Sequence, residues 1–496
     1  MKLSHLLPHG TYRSSACADE IEICGLCDHT DEVKEGYAFI AKRGKSFDPL
    51  LLLSKLEQGG ICAVILEEGH PIPFESIIPL FFVQDISATA SDMWNRYYRQ
   101  PGKDLCLIGI TGTNGKTTTA HILAHLLNAS GKKSGYIGTL GVYSAGKERA
   151  DLKEGNMTTP CARYLFRALR ALRDDGCECV VLEVSSHALM QKRVRPLSFS
   201  LSVFTNLSED HLDYHLTEDA YFEAKALLFK QSLHALINVD DEHGRKLYKR
   251  LVMPKSSYGI LNEAHYQLTE LNENASHGAQ YTCRTSTCSF PVKTSLHGSF
   301  NLYNSLAATS AAVILGACPN DIAKGFLSLP KIPGRMEVVP LEKYGTPFTV
   351  IIDYAHTPDA MEAVLRSARR LTRGRVIALF GAGGDREKEK RGKMGKIAEK
   401  YADFVFITTD NSRSEAPLSI IRDILSGMAK KERRRVICNR KNAIEEALTY
   451  AKAGDTLLLL GKGHEEYVID KTGQKPFSER AIIENFFKKR GSEHGC

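Results

Sequence analysis

The sequence predicts an α/β protein of three domains, and three observations carry that reading. An apolar run at 105–110 leads straight into TGTNGKTTTA, residues 111–120, and then into a helix-compatible stretch reaching about residue 127. Apolar strands at 179–184, 201–205 and 235–239 alternate with helical stretches, the pattern of a parallel, doubly wound sheet. A second alternation, with strands at 348–353, 376–381, 404–408, 435–438 and 456–461, follows the turn signal Pro333-Gly334.

The elements fall into order along 496 residues, a length too great for one core. Residues 1–100 are expected to form a mixed α/β domain, with strands at 37–41 and 61–66, closed by the Pro101-Gly102 turn signal. Residues 101–331 form a central P-loop domain that carries a small β insert at 266–296 and a helix at 303–315. Residues 332–496 form a second, Rossmann-like open sheet. Such sheets bind ligands at the carboxyl ends of their strands. Polar clusters stand at four of those ends here: DYAHTPD, GAGGDREK, TTDNSRSE and GKGHEE.

Composition excludes several classes. A hydrophobic fraction of 43% with 25% charged residues is ordinary for a globular chain. No apolar run approaches the ~18 residues that a membrane helix needs, and the start, MKLSHLLPHG, breaks at Pro8, too early for a signal-peptide core. No membrane insertion and a cytoplasmic location are therefore expected. Thirteen cysteines, an odd number without disulfide rhythm, imply reduced thiols. Cys24 and Cys27, with His29 beyond, have metal spacing, but no second pair completes a zinc site. A net charge of +7 suits anionic ligands. The basic runs at 388–393 and 430–435 have few interleaved aromatics, so no nucleic-acid partner is expected.

The glycine loop is the strongest chemical signal. Strand, loop and helix together form the setting in which backbone N–H groups converge on phosphates. Gly112 and Gly115 permit the turn, with Thr113 and Asn114 between them. Lys116 can reach the β- and γ-phosphates, and the Thr117 hydroxyl, with Thr118 beside it, can ligate Mg²⁺. The general pattern has Gly where this chain has Ile110. ATP or GTP binding follows.

Other residues carry weaker signals. Glu183 ends the strand CVVLEV, where a metal-ligating carboxylate belongs beside a P-loop. TNLSEDHLDYH places His211 among carboxylates after the next strand. Lys225, between apolar residues in FEAKALLF, reads on its own as a snorkelling lysine. Arg386 and Arg413 each stand just past a strand end, where planar guanidinium forks suit carboxylates or loop salt bridges equally.

These motifs together resemble the Mur ligases of peptidoglycan synthesis, above all the members that add the third residue of the stem peptide. GTNGKTT, NMTTP, EVSSHAL, TNLSEDHLDYH, FEAKALLF, GSFNLYN, PGRMEVV, DYAHTPDA, GGDREKEKRGKMG, DNSR and GKGHE occur in the family's order across nearly the whole chain. The resemblance implies an ATP-dependent, Mg²⁺-dependent ligase. It would phosphorylate the free D-Glu carboxylate of UDP-MurNAc-L-Ala-D-Glu, and an incoming amine would displace phosphate to form an amide. It assigns catalysis to Lys116, Glu183, His211 and Lys225. The metal would be held by Thr117, Glu183, His211 and Lys225 as a carbamate. Asn301, Asn304 and Arg335 would join the glycine loop in holding ATP. Asn156, Thr158, Thr159, Ser185, Gln191 and Arg193 would hold the UDP-muropeptide. Leu26 and Asp28 would reach the uridine, although LCDHT departs from the family's Asp-Ser-Arg there; the 42–46 loop is a second candidate.

The amino acid is implied by the third domain. The family pairs DNPR with meso-diaminopimelate, and this chain has DNSR, with Ser412 in place of Pro and Arg413 kept. Arg386, Asp410, Asn411, Ser412, Arg413, Gly461 and Glu465 are the expected diaminopimelate contacts, in a monomer. The alternatives are the same reaction with L-lysine, the D-Ala-D-Ala-adding or folylpoly-γ-glutamate ligases of the same superfamily, and a P-loop switch without ligase chemistry.

Overall fold

The computed structural model describes residues 1–44, 48, 51, 53–69, 76–152, 155, 157–274 and 278–493. The chain divides into two compact units. One comprises 1–111, 131–203 and 223–235; the other comprises 112–130, 204–222 and 236–496.

The first unit holds a four-stranded parallel sheet, ordered Gly25–Cys27, Tyr37–Ile40, Ala63–Glu67 and Leu80–Val83. Phe39, Val64 and Leu66 are wholly buried in its core. The same unit contains the strand Cys106–Thr111, paired in parallel with Cys179–Glu183 so that Ile110 lies opposite Glu183. Ser134–Gly138 continues this sheet in parallel, but Gly141–Ser144 turns back antiparallel. That hairpin is a departure from the purely parallel expectation. Its SGYIG strand carries two glycines and no long apolar run, so periodicity does not reveal it.

The second unit opens with the helix Lys116–Ala129, which packs against the helix Ser299–Ile314. Between them in sequence lies the expected β insert. It consists of Tyr266–Asn274, Gly278–Arg284 and Ser289–Thr294, antiparallel to one another, and its first strand pairs in parallel with Lys255–Gly259, which lies before the expected bounds. A six-stranded sheet follows, ordered Glu337–Val338, Thr349–Asp353, Thr456–Leu460, Val376–Phe380, Phe404–Ile407 and Arg434–Val436. All its pairs are parallel but the first.

Sequence explains this sheet directly. The strands TLLLL and VIALF are buried along their whole length, as parallel strands covered on both faces must be. Each such Leu contributes about 1.5–3 kcal/mol of apolar burial. Helix starts are set by caps. Thr357 accepts from Ala360 N with Pro358 at the first helical position, and Asn439 accepts from Asn442 N. The parallel register brings Asp353, Phe380 and Leu460 to one level, and the polar loops that follow them share one rim.

Candidate functional site

In the second unit the glycine loop is anchored to the segment 204–210. Thr113 N donates to Asn206 O at 2.9 Å, Asn114 N to Asn206 Oδ1 at 2.9 Å, and Thr205 Oγ1 to Asn114 O at 2.7 Å. Two glycines are sterically required. A Cβ at Gly112 would lie 1.9 Å from Thr205 Oγ1, and one at Gly115 would lie 2.3 Å from Asn304 Oδ1. Both have positive φ, 146° and 87°. Lys116 Nζ donates to Gly112 O and Thr113 O, each at 2.8 Å. Thr117 and Thr118 are buried in the first turn of the helix.

Residues distant in sequence converge on this loop. Arg335 donates from Nη2 to Thr117 Oγ1 at 3.0 Å, with its guanidinium 4.8 Å from the Tyr354 ring centre. Asn304 donates to Asn301 Oδ1 at 3.1 Å and accepts from Thr119 Oγ1 at 3.3 Å. A cleft of about 430 Å³ opens beside them, lined by Asn114, Gly115, Asn304 and Arg335. Asp240 and Tyr303 also line it, joined by a 2.8 Å hydrogen bond between residues 63 apart, which no local sequence pattern signals. His211 stands in a left-handed backbone conformation, φ 57°, with Nε2 3.4 Å from Asp210 Oδ2. Burial alone would raise the Asp210 carboxyl; His211, His356 and Lys390 turn its pKa downward, keeping it anionic.

In the first unit Glu183 is the centre of a second constellation. It is fully buried. Oε1 accepts from the Tyr136 hydroxyl at 2.5 Å and from Thr139 N at 2.9 Å, and Oε2 accepts from Thr139 Oγ1 at 3.2 Å. Thr158 Oγ1 lies 3.2 Å from Thr139 Oγ1. Thr159 Oγ1 donates to Glu183 O and approaches Ser185 Oγ. Arg193 donates to Thr159 O at 2.6 Å and to Gln191 Oε1 at 2.6 and 3.1 Å. Five muropeptide candidates and one metal-ligand candidate are thus a single connected network. Sequence reasoning missed Tyr136 and Thr139. Lys225, on the helix Glu218–Ala226, is 1% exposed, far from a lysine with its ammonium in water.

At the amino terminus Leu26 is buried in its strand, and Asp28 lies 3.3 Å from Arg163. Lys42 is partly desolvated; burial first, then the charge of Arg193, lowers its pKa. Asn156, and residues 45 and 46 of the 42–46 loop, lie outside the described residues. Burial pushes the Cys27 thiol up to about 12, and Sγ donates to Ala38 O at 3.7 Å.

The strand ends of the six-stranded sheet assemble the third constellation. Arg413, φ 48°, donates to Gly384 O at 2.6 Å. Burial, and then the charge of Arg386, pushes its guanidinium below the ordinary value, with Asp410, Glu465 and Asp385 opposing the shift. Such a pair is stabilised by an added carboxylate. Asn411 donates to Glu465 Oε2 at 2.9 Å. Asp410 and Ser412 are buried, and a Cβ on Gly461 would lie 2.7 Å from Asp410 Oδ2. Beneath them, fully buried Arg391 binds Glu415, Asp423 and Gly383 O, fixing both loops.

Comparison with known proteins gives these sites their context. Residues 110–312 match the family model described as the Mur ligase middle domain, and residues 334–463 the one described as the Mur ligase glutamate ligase domain. A UDP-N-acetylmuramoyl-L-alanyl-D-glutamate--2,6-diaminopimelate ligase of Aquifex aeolicus is 40% identical over 462 residues, 92% of each chain. Its counterpart in a Synechocystis species is 38% identical over 92% of this chain and 91% of its own. A solved structure of a protein with that name aligns with a TM-score of 0.67 at 29% identity, covering 99% of each chain. The Mycobacterium tuberculosis folylpolyglutamate synthase, solved with ADP and AMPPCP, shares the fold: TM-score 0.63, 17% identity, 75% of this chain and 92% of that one. No described helix is long and apolar enough to cross a membrane.

Proposed function

The chain belongs to the Mur ligase family, and from that premise we propose that it joins meso-2,6-diaminopimelate to UDP-MurNAc-L-Ala-D-Glu at the expense of ATP. The reaction passes through an acyl phosphate and releases ADP and phosphate. A carboxylate is a poor electrophile, and phosphorylation supplies its leaving group. The single observation that carries the choice of amino acid is the convergence of Arg386 and Arg413 over Gly383, where a Cβ would lie 3.0 Å from Arg413 Nη1 and 3.6 Å from Arg386 Cγ. Diaminopimelate brings a distal carboxylate to such a pair; lysine brings none. A lysine side chain would instead bring its ammonium toward two cations, which penalises lysine.

The glycine loop and the cleft beside it suit ATP: two positions where a side chain would collide, a convergent lysine, and about 430 Å³ of space. Lys116 would neutralise the γ-phosphoryl group as charge moves in the transition state. Glu183 and a carbamate on Lys225 are the residues we assign to Mg²⁺, as are Thr117 and His211. The oxygen-rich surroundings of Glu183 fit a hard cation. Bound there, Mg²⁺ supplies charge to stabilise phosphoryl transfer. Tyr136 and Thr139 orient the Glu183 carboxylate. Thr158, Thr159, Ser185, Gln191 and Arg193 would position the muropeptide. We assign uridine binding to residues 1–100, ATP to 101–331 and the amino acid to 332–496, in a cytoplasmic monomer.

The test is ligation of UDP-MurNAc-L-Ala-D-Glu with diaminopimelate, lysine and ornithine competing as acceptors. The expected product carries diaminopimelate, with ADP release dependent on both other substrates. Comparable use of lysine refutes the choice of amino acid. ATP turnover that needs neither substrate refutes the ligase.

A further inference from the structure

Lys462 is a lysine without any exposed surface, and it lies directly under three residues assigned to the amino acid. Its Nζ donates to Asn411 Oδ1 at 3.0 Å and to Tyr467 O at 2.8 Å. It stands 3.3 Å from Asp410 Oδ1 and 3.5 Å from Glu465 Oε2. An ammonium has only donors, so Asn411 must present its oxygen inward. Ile469 N donates to the same oxygen at 3.0 Å, which fixes that orientation from a second side. The Asn411 amide nitrogen is thereby turned outward to Glu465 Oε2.

Charge points the same way. Asp410 and Glu465 bring two carboxylates together, and Lys462 supplies one buried cation against them. Lys462 so holds both carboxylates in place beside Gly461, where their free oxygens can accept from an ammonium group of an incoming amino acid. Burial alone would raise the Asp410 carboxyl; Lys462 and then Arg440 turn its pKa downward, so it stays anionic.

We propose that Lys462 is a positioning residue for the amino-acid substrate, locking the Asn411 amide and holding the Asp410 and Glu465 carboxylates that receive the substrate's distal amino group. It touches no reacting atom; it acts through Asn411, Asp410 and Glu465. This rests on the reading of the carboxy-terminal strand ends as the diaminopimelate site.

The experiment measures KM for each of the three substrates in wild type, Lys462→Met and Lys462→Gln. Wild-type ligation of diaminopimelate must be seen first; its absence refutes the underlying site assignment rather than this proposal. Given that activity, the Met variant should raise KM for diaminopimelate by about tenfold or more, the loss of a buried charge-assisted network. KM for ATP and for the UDP-muropeptide should stay within about twofold. Lys462→Gln, which keeps a donor for Asn411, should recover part of the loss. Equal rises in all three KM values, an unchanged KM for diaminopimelate, or unfolding of both variants would overturn the proposal.

Discussion

The Arg413 guanidinium rests on the backbone of Gly384, donating from Nη1 to its carbonyl at 2.6 Å. The cation of one loop is therefore held by the loop that carries Arg386. The pair acts as a unit, so Arg413→Ala should raise KM for diaminopimelate about 100-fold, equivalent to about 3 kcal/mol. KM for lysine should change far less. Competition between the two acceptors reads the ratio directly; an unaltered ratio removes Arg413 from the specificity site.

Gly115→Ala tests the phosphate loop without touching a charge. The new methyl would lie 2.3 Å from Asn304 Oδ1 at a backbone φ of 87°. Strain of about 1–2 kcal/mol plus displacement of Asn304 should raise KM for ATP about tenfold or more. Calorimetric titration with UDP-MurNAc-L-Ala-D-Glu should give wild-type affinity.

Tyr136→Phe removes the hydroxyl that donates to Glu183 Oε1 at 2.5 Å. A charge-assisted bond of this kind contributes about 1.5–3 kcal/mol. If the carboxylate must be held for catalysis, kcat falls about tenfold while KM for diaminopimelate is unchanged. Steady-state kinetics at saturating ATP decide it, and a wild-type kcat dismisses the role.

Stability should carry an acid signature from Glu415. Hydrogen bonding to Arg391 lowers its pKa from 4.5 to about 2. A depressed native pKa stabilises the fold above pH 4.5, and the contribution disappears as pH falls toward 2. Glu415→Gln leaves buried Arg391 with Asp423 as its remaining anion, which should cost about 3 kcal/mol at neutral pH. Urea unfolding at pH 7 and pH 3 should show the gap between variant and wild type narrowing at the lower pH.

Lys225→Ala should lose most activity, about 100-fold, if its amine carries a carbamate that contributes charge near the acyl phosphate. Formate or acetate in the assay should restore part of it. Full activity in the unsupplemented alanine variant discards the carbamate.

Much of this was legible in the sequence because the chemistry sits where strands end. The glycine loop and the Arg386 and Arg413 loops each follow an apolar strand that periodicity identifies, and Glu183 ends one. The supporting residues were not legible. Tyr136 sits in a glycine-rich five-residue strand, and its partner Glu183 is 47 residues away. Arg391 reads as one of many cations in KEKRGK, and only the fold shows it without exposed surface. Lys225 is the converse: its spacing suggests a snorkelling side chain, and burial denies it. Long-range contacts leave no local pattern, so positioning residues are the ones that sequence conceals.

Lys116 has a second consequence through the two carbonyls that it grips, Gly112 O and Thr113 O. A phosphate recruits this ammonium only by exchange, taking it from acceptors that must then be rehydrated. The lysine is also a strut of its own loop. Removing it slackens the cradle as well as deleting a charge, so the affinity lost in Lys116→Ala overstates the contact between ammonium and phosphate. A binding measurement on that variant reports the rigidity of an arch together with the pull of its keystone.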